Sequence, residues 1–131
     1  MGLLIGDVFR NAARAVPERV AAVVGSDSLT FGELDRRSEA IGTELGVGRG
    51  DRVALWSGTS LDSVVLFAGL AKAGAVFVPV NPALTPLEAA EVLDTARPSL
   101  LAVDRERAAA AAVLAEGAGI RVVESTGVGR E

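Results

Sequence analysis

Residues 70–82, LAKAGAVFVPVNP, place a helix end, a turn and an apolar strand in immediate succession. Leu66, Leu70 and Ala73 recur at helical spacing and form one apolar face. Ala68, Gly69 and Ala71 keep that helix thin enough to approach a sheet closely. Gly74 falls just after the helix, where a left-handed backbone favours glycine. Ala75, Val76, Phe77 and Val78 then read as a strand. Pro79 is expected at its end, because proline cannot donate to a central ladder. Lys72, the only lysine in the chain, falls in the last helical turn, where the dipole favours a cation. No neighbour in sequence offers it acid–base or phosphate chemistry, so it reads as a structural, partly solvated charge. Replacing it with Arg or Gln is expected to shift stability by less than about 0.5 kcal/mol.

The same alternation extends both ways. Upstream, Ile5, Val8, Phe9, Ala12 and Val16 fall at helical spacing, and Pro17 stops that helix. VAAVVGSDSLTF (20–31) reads as a β-hairpin around a turn at 25–28. Thr30 and Glu33 form a capping-box pair ahead of a helix carrying Phe31, Leu34, Ile41 and Leu45, which GVGRGD (46–51) ends. RVALW (52–56) is the continuous apolar run of a strand covered on both faces. Downstream, Thr85, Pro86 and Glu88 mark a helix start, and that helix runs to about Arg97. SLLAV (99–103) is a strand, Asp104 caps an alanine-rich helix ending near Gly117, and IRVV (120–123) is a final strand.

This order predicts an α/β fold: a three-layer parallel sheet with flanking helices, preceded by a helix and a short β-hairpin. Segments 53–55, 76–78 and 100–103 are expected as adjacent central strands. Residues 1–123 read as one amino-terminal α/β subdomain, and residues 124–131 as a mobile terminus.

Composition narrows the chemistry. The 131 residues include no histidine and no cysteine, which removes the commonest general base, the thiolate nucleophile and the usual zinc ligands. The net charge is −4 and the arginines are scattered, so no basic stripe exists for nucleic acid. MGLLIGDVFRNAAR at the start lacks the basic region of a signal peptide. The uncharged run 73–87 holds three prolines and is shorter than the roughly 20 residues of a membrane span. A cytoplasmic protein without nucleic-acid partner or membrane span is expected.

Individual motifs carry little. GVGRGD precedes a strand, whereas a dinucleotide fingerprint follows one, and its Arg49-Gly50-Asp51 tripeptide reads as a turn. STGVGR (125–130) does follow a strand, but it lacks a lysine and no helix follows it in this sequence. The serines have no base for nucleophilic activation. Glu88 and Glu91 share a solvated helix face. Trp56 and Thr59 sit at the carboxyl end of the first parallel strand, where α/β ligands bind. Packing and helix capping are their expected roles, with pocket lining as the alternative.

Together, LTFGELDRRSEAIGTELG (29–46), GVGRGDRVALW (46–56) and LFAGLAKAGAVFVPVNPALTPLEAAEVLDTARPSLLAV (66–103) resemble the amino-terminal part of the AMP-forming acyl-activating enzymes. That family includes acyl-CoA synthetases, aryl-CoA ligases, luciferase-type enzymes and peptide-synthetase adenylation domains. The resemblance spans about residues 5–123, and the NPALTP continuation looks closer to the acyl-CoA ligases than to the peptide synthetases. It implies ATP-dependent activation of a carboxylic acid to an acyl-adenylate, then thioester formation with CoA, with Mg²⁺ neutralising phosphate charge. The family's phosphate-binding loop, adenylate-holding motifs, ribose-binding aspartate and lysine-bearing carboxyl-terminal lid have no counterpart in these residues. No catalytic, cofactor-binding or metal-binding residue is therefore carried over to any position. The implied role is a scaffold segment of a longer acyl-CoA synthetase of fatty acid metabolism, inactive alone. Its partners would be the rest of the synthetase chain and the acid substrate. ATP, Mg²⁺ and CoA would serve the full-length enzyme only. A stand-alone α/β binding or interaction module is the alternative. A receiver-type signalling domain would need clustered aspartates where Trp56, Ser57, Pro79 and Val80 stand.

Overall fold

Each apolar run between turn residues becomes a strand, and the helices between them decide which face it shows to which layer. A computed structural model describes residues 4–130. The amino-terminal part holds α1 (Ile5–Ala15), β1 (Val20–Val24), β2 (Asp27–Thr30), α2 (Phe31–Glu39) and α3 (Ile41–Leu45). There follow β3 (Arg52–Trp56), α4 (Leu61–Ala73), β4 (Val76–Val80), α5 (Pro86–Ala96) and β5 (Leu100–Val103). A 3₁₀ turn (Arg105–Arg107), α6 (Ala108–Ala118) and β6 (Arg121–Glu124) complete the chain.

β1 and β2 pair antiparallel as a separate hairpin. The other four strands form one parallel sheet in the order β4-β3-β5-β6. Strand alternation splits its side chains cleanly. Val53, Leu55, Leu100 and Ala102 pack with α2, α3 and α4 residues on one face. Ala54, Trp56, Leu101 and Val103 pack with α5 and α6 residues on the other. The three layers and the leading hairpin match the expected architecture.

Within it, four details differ from the sequence reading. β4 is an edge strand, not a central one. Pro79 lies inside it, in register with Leu55, and the strand continues to Val80. The Val76 N–H donates to Asp51 O at 2.7 Å, and parallel alternation turns Val78 and Val80 toward β3 as well. Phe77 and Pro79 therefore direct their main-chain groups outward, where a missing N–H costs no ladder bond. The helix read across Phe31 to Leu45 is broken at Ala40 (φ −96°, ψ 2°). Asp104 caps the 3₁₀ turn, and α6 begins after it. After β6, residues 125–130 run back along the α2–α3 layer. Ser125 and Val128 are buried, and Val128 joins the apolar layer that includes Leu34. The Gly129 N–H donates to Glu44 Oε2 at 2.9 Å, and Val128 O accepts from Arg37 Nη2 at 2.7 Å.

On the α4 face the helices approach closely where glycines remove a side chain. A Cβ added at Gly6 would lie 2.8 Å from Lys72 Cα, so α1 rests almost on the α4 main chain. At Gly69 a Cβ would overlap Cβ and Cγ1 of Ile41. The break at Ala40 thus lets Ile41 enter the gap that the missing side chain leaves.

Gly69→Ala is expected to cost about 1–3 kcal/mol, the range for overpacking a dense core. Most of that loss should disappear in an Ile41→Ala background, where the vacated space accepts the methyl group. Urea unfolding of both single variants and the double variant measures the coupling. Strictly additive losses would show that this contact is not the cause.

Candidate functional site

Parallel α/β sheets gather their polar loops at the carboxyl ends of the strands, and the crevice opens where neighbouring connections leave toward opposite faces. Here that point lies between β3 and β5. Asp104, directly after β5, bridges it. Its Oδ2 accepts from the Gly58 N–H at 2.8 Å and from Arg107 Nη1 at 2.6 Å, while Oδ1 accepts from the Arg107 N–H at 3.1 Å. Arg107 Nη2 then donates to Pro82 O, in the loop after β4, at 3.0 Å. One carboxylate and one guanidinium therefore tie the ends of three strands together. Asp104 was legible as a cap. The role of Arg107 was not, because its partner Pro82 lies 25 residues away.

Beside this clasp, between β3, β4 and the start of α4, lies an open cleft of about 580 Å³. Leu55, Val64, Phe67, Phe77 and Pro79 give it apolar walls, and Thr59 and Asn81 stand among its polar lining. Of the two residues singled out from sequence, Thr59 lines the cleft and Trp56 does not. Trp56 is buried toward α5 and α6, and its Nε1 has no hydrogen-bond partner. Ser60, not Thr59, caps α4, accepting from the Ser63 N–H at 3.1 Å. Ser57 Oγ donates to Gly58 O at 2.7 Å, and the Ser60 and Ser63 hydroxyls lie 3.0 Å apart. No His, Asp or Glu side chain stands among the cleft lining beside these hydroxyls.

Two sequence features were candidates for phosphate, and in both several amide donors are already engaged. In STGVGR the Ser125, Val128, Gly129 and Arg130 N–H groups donate to Val103 O, Ser125 O, Glu44 Oε2 and Gly127 O. The Glu44 carboxylate on Gly129 sets a negative charge against this loop. In GVGRGD the Gly48 N–H is taken by Asp51 Oδ2 at 2.8 Å, which makes a turn. Among the described residues, no group of three or more His, Cys, Asp or Glu side chains is placed to hold a metal ion. No described helix is long and apolar enough to cross a membrane.

Lys72 requires a correction. Its side chain is only 2% exposed, and Nζ donates to Asp35 Oδ1 at 2.6 Å, to Glu39 Oε2 at 2.9 Å and to Asp35 O at 3.1 Å. The partners sit on α2, 37 and 33 residues away in sequence, which is why the local context around Lys72 looked chemically empty. Arg10 on α1 reaches Glu39 at 3.6 Å from the other side. Hydrogen bonding to Lys72, and the charges of Lys72 and Arg10, hold the Glu39 carboxyl below the usual carboxylate range against a smaller opposing effect of burial. Lys72 is an interhelical anchor and not a partly solvated surface charge.

Comparison with known proteins adds the following. A family model described as AMP-binding enzyme matches residues 9–130. A medium/long-chain-fatty-acid–CoA/3-oxocholest-4-en-26-oate–CoA ligase of Mycobacterium marinum is 36% identical over 84 residues, covering 62% of this chain and 15% of that protein. Tyrocidine synthase 2 of Brevibacillus parabrevis is 36% identical over 98 residues, covering 72% of this chain and 3% of that one. A solved Rhodopseudomonas palustris structure, provisionally described as a long-chain-fatty-acid CoA ligase, superposes with a TM-score of 0.87 at 29% identity. That alignment covers 93% of this chain and 32% of the other. The chain therefore spans a minor part of each relative, and identity alone does not separate the ligase branch from the peptide-synthetase branch.

The Lys72 cluster is asymmetric, since Asp35 and Glu39 remain 34% and 57% exposed. Lys72→Met leaves two hydrated carboxylates and is expected to cost about 1–2 kcal/mol. Asp35→Asn combined with Glu39→Gln leaves the ammonium buried without a counter-charge, and should cost about 3–5 kcal/mol. Folding lowers the Glu39 pKa, so its contribution is present above the unfolded value and fades as pH falls through the folded one. Urea unfolding across about pH 6 to pH 3 should show a steeper decline for the parent than for Lys72→Met. Parallel declines would remove Glu39 from the account.

Proposed function

Because the chain belongs to the AMP-binding enzyme family, we propose that it is the amino-terminal α/β scaffold of an AMP-forming acid–thiol ligase. In this reading the longer enzyme joins a fatty acid to ATP, releasing pyrophosphate and forming an acyl-adenylate. The CoA thiol then displaces AMP to give the thioester. The choice of a fatty acid follows the printed activity of the Mycobacterium marinum relative. ATP, Mg²⁺ and CoA belong to that longer enzyme, whose remaining chain is this segment's partner. The cytoplasm is its compartment.

The observation that carries the scaffold role is the state of the polar groups at the carboxyl end of the sheet. The crevice between β3 and β5 is closed by the Asp104–Arg107 clasp, and the Ser57, Ser60 and Ser63 hydroxyls are engaged with their neighbours. Adenylation requires amide and cationic donors aimed at phosphate, with the carboxylate held at near-attack distance. These residues contribute rigidity instead. They fix the ends of three parallel strands to which the loops of a complete site would attach.

Pyrophosphate exchange with ATP, Mg²⁺ and a panel of short, long and aromatic carboxylic acids tests this role. The chain alone is expected to give no acid-dependent exchange, and calorimetry to detect no micromolar ATP binding. Exchange above background would overturn the scaffold role. Tight ATP binding lost on substituting residues 125–130 would point to a small stand-alone nucleotide module.

A further inference from the structure

A groove with aromatic walls runs beside the free edge of the sheet. Phe9, Phe67 and Phe77 stack edge to face, with ring centroids 6.1 Å apart for the first pair and 5.3 Å for the second. Phe67 is 37% exposed although it lies mid-way along α4, between the buried Leu66 and Ala68. On one side, Phe67 and Phe77 wall the cleft at the carboxyl ends of β3 and β4. On the other, the same two rings wall a second hollow of about 460 Å³ with Leu4 and Ile5. Two hollows that share both rings make one continuous apolar surface, and Leu4 and Ile5 stand largely exposed along it.

The two hollows are open and extended, unlike the enclosed pocket that buries a small ligand. No charged side chain lines the cleft beside the strand ends. Strand addition is disfavoured as well, because Pro79 removes an outward donor from the β4 edge. The same blunted edge argues against two copies joining their sheets. What the surface suits is packing by apolar side chains of another polypeptide, since aromatic residues concentrate at the cores of such interfaces.

The occupant follows from the relatives. This fold makes up 32% of the superposed Rhodopseudomonas palustris chain, and the 84 residues aligned with the Mycobacterium marinum ligase are 15% of its length, so in both the matched part stands beside a much longer polypeptide. We propose that the Phe67–Phe77 groove is the surface on which the remaining chain of an AMP-forming ligase packs, with the two rings as its anchors. This rests on the functional reading above and names the surface through which that partner is held.

The test is a chimera in which this chain replaces the aligned region of the Rhodopseudomonas palustris protein, compared with the chain alone by hydroxyl-radical footprinting. Phe67 should react about tenfold less in the chimera, while Leu87, exposed on α5 at the other face, reacts alike in both. Phe67→Ser removes the stacking on Phe9 and Phe77 in both forms, and should lower the unfolding midpoint of the chimera more than that of the free chain. Equal labelling of Phe67 in the two forms overturns the proposal, and so does a chimera that fails to fold. Protection of Phe67 in the free chain, together with sedimentation as a dimer, assigns the groove to a second copy and also overturns it. Acid-dependent pyrophosphate exchange by the chimera reads the function separately. An inactive chimera with a protected Phe67 counts against the ligase reading and leaves the packing surface standing.

Discussion

A lysine ammonium held almost entirely out of water is tolerated only where carboxylates and a carbonyl take its protons, and in this protein that requirement organises one whole layer. Lys72 projects from the last turn of α4, and its partners come from α2. Arg10 of α1 closes the network on Glu39. Three helices must therefore stand at fixed separations for the charge to be satisfied. They can do so because Gly6 and Gly69 remove the side chains that would otherwise hold α1 and α3 away from α4. Close backbone approach and charge satisfaction depend on each other.

The opposite face of the sheet relies on ordinary apolar packing by α5 and α6. Polar bonds concentrate instead at the carboxyl ends of the strands, where Asp104 and Arg107 join β3, β5 and the loop after β4. In many parallel α/β proteins this is where a ligand would enter. Closing it with the protein's own ion pair leaves a rigid platform. That platform is consistent with a segment that supports a site built by other parts of a longer family member.

Legibility in the sequence followed the range of each interaction. Helix caps were readable because their partners lie three residues apart: Thr30 with Glu33, and Thr85 with Glu88. Strands were readable from uninterrupted apolar runs. For Trp56 and Thr59 the strand-end position gave packing or capping, with pocket lining as the alternative; Trp56 packs toward α5 and α6, while Thr59 lines the cleft and Ser60 takes the cap. Lys72 was misread because its carboxylates are distant in sequence. Pro79 was misread because the cost of a missing N–H depends on which side of a strand is open, and only strand order decides that.

The sequence by itself therefore determined the element order, the three layers, the family and the absence of histidine and cysteine chemistry. Element order, layers and missing chemistry are set by local periodicity, capping or composition, and the family by the likeness of whole motif stretches. The tertiary structure alone decided that β4 is an edge, that Ile41 enters the gap at Gly69 and that residues 125–130 pack beneath α2 and α3. It alone converted an isolated lysine into the anchor of three helices. These outcomes depend on distances between residues far apart along the chain, and such distances exist only after the layers have closed on one another.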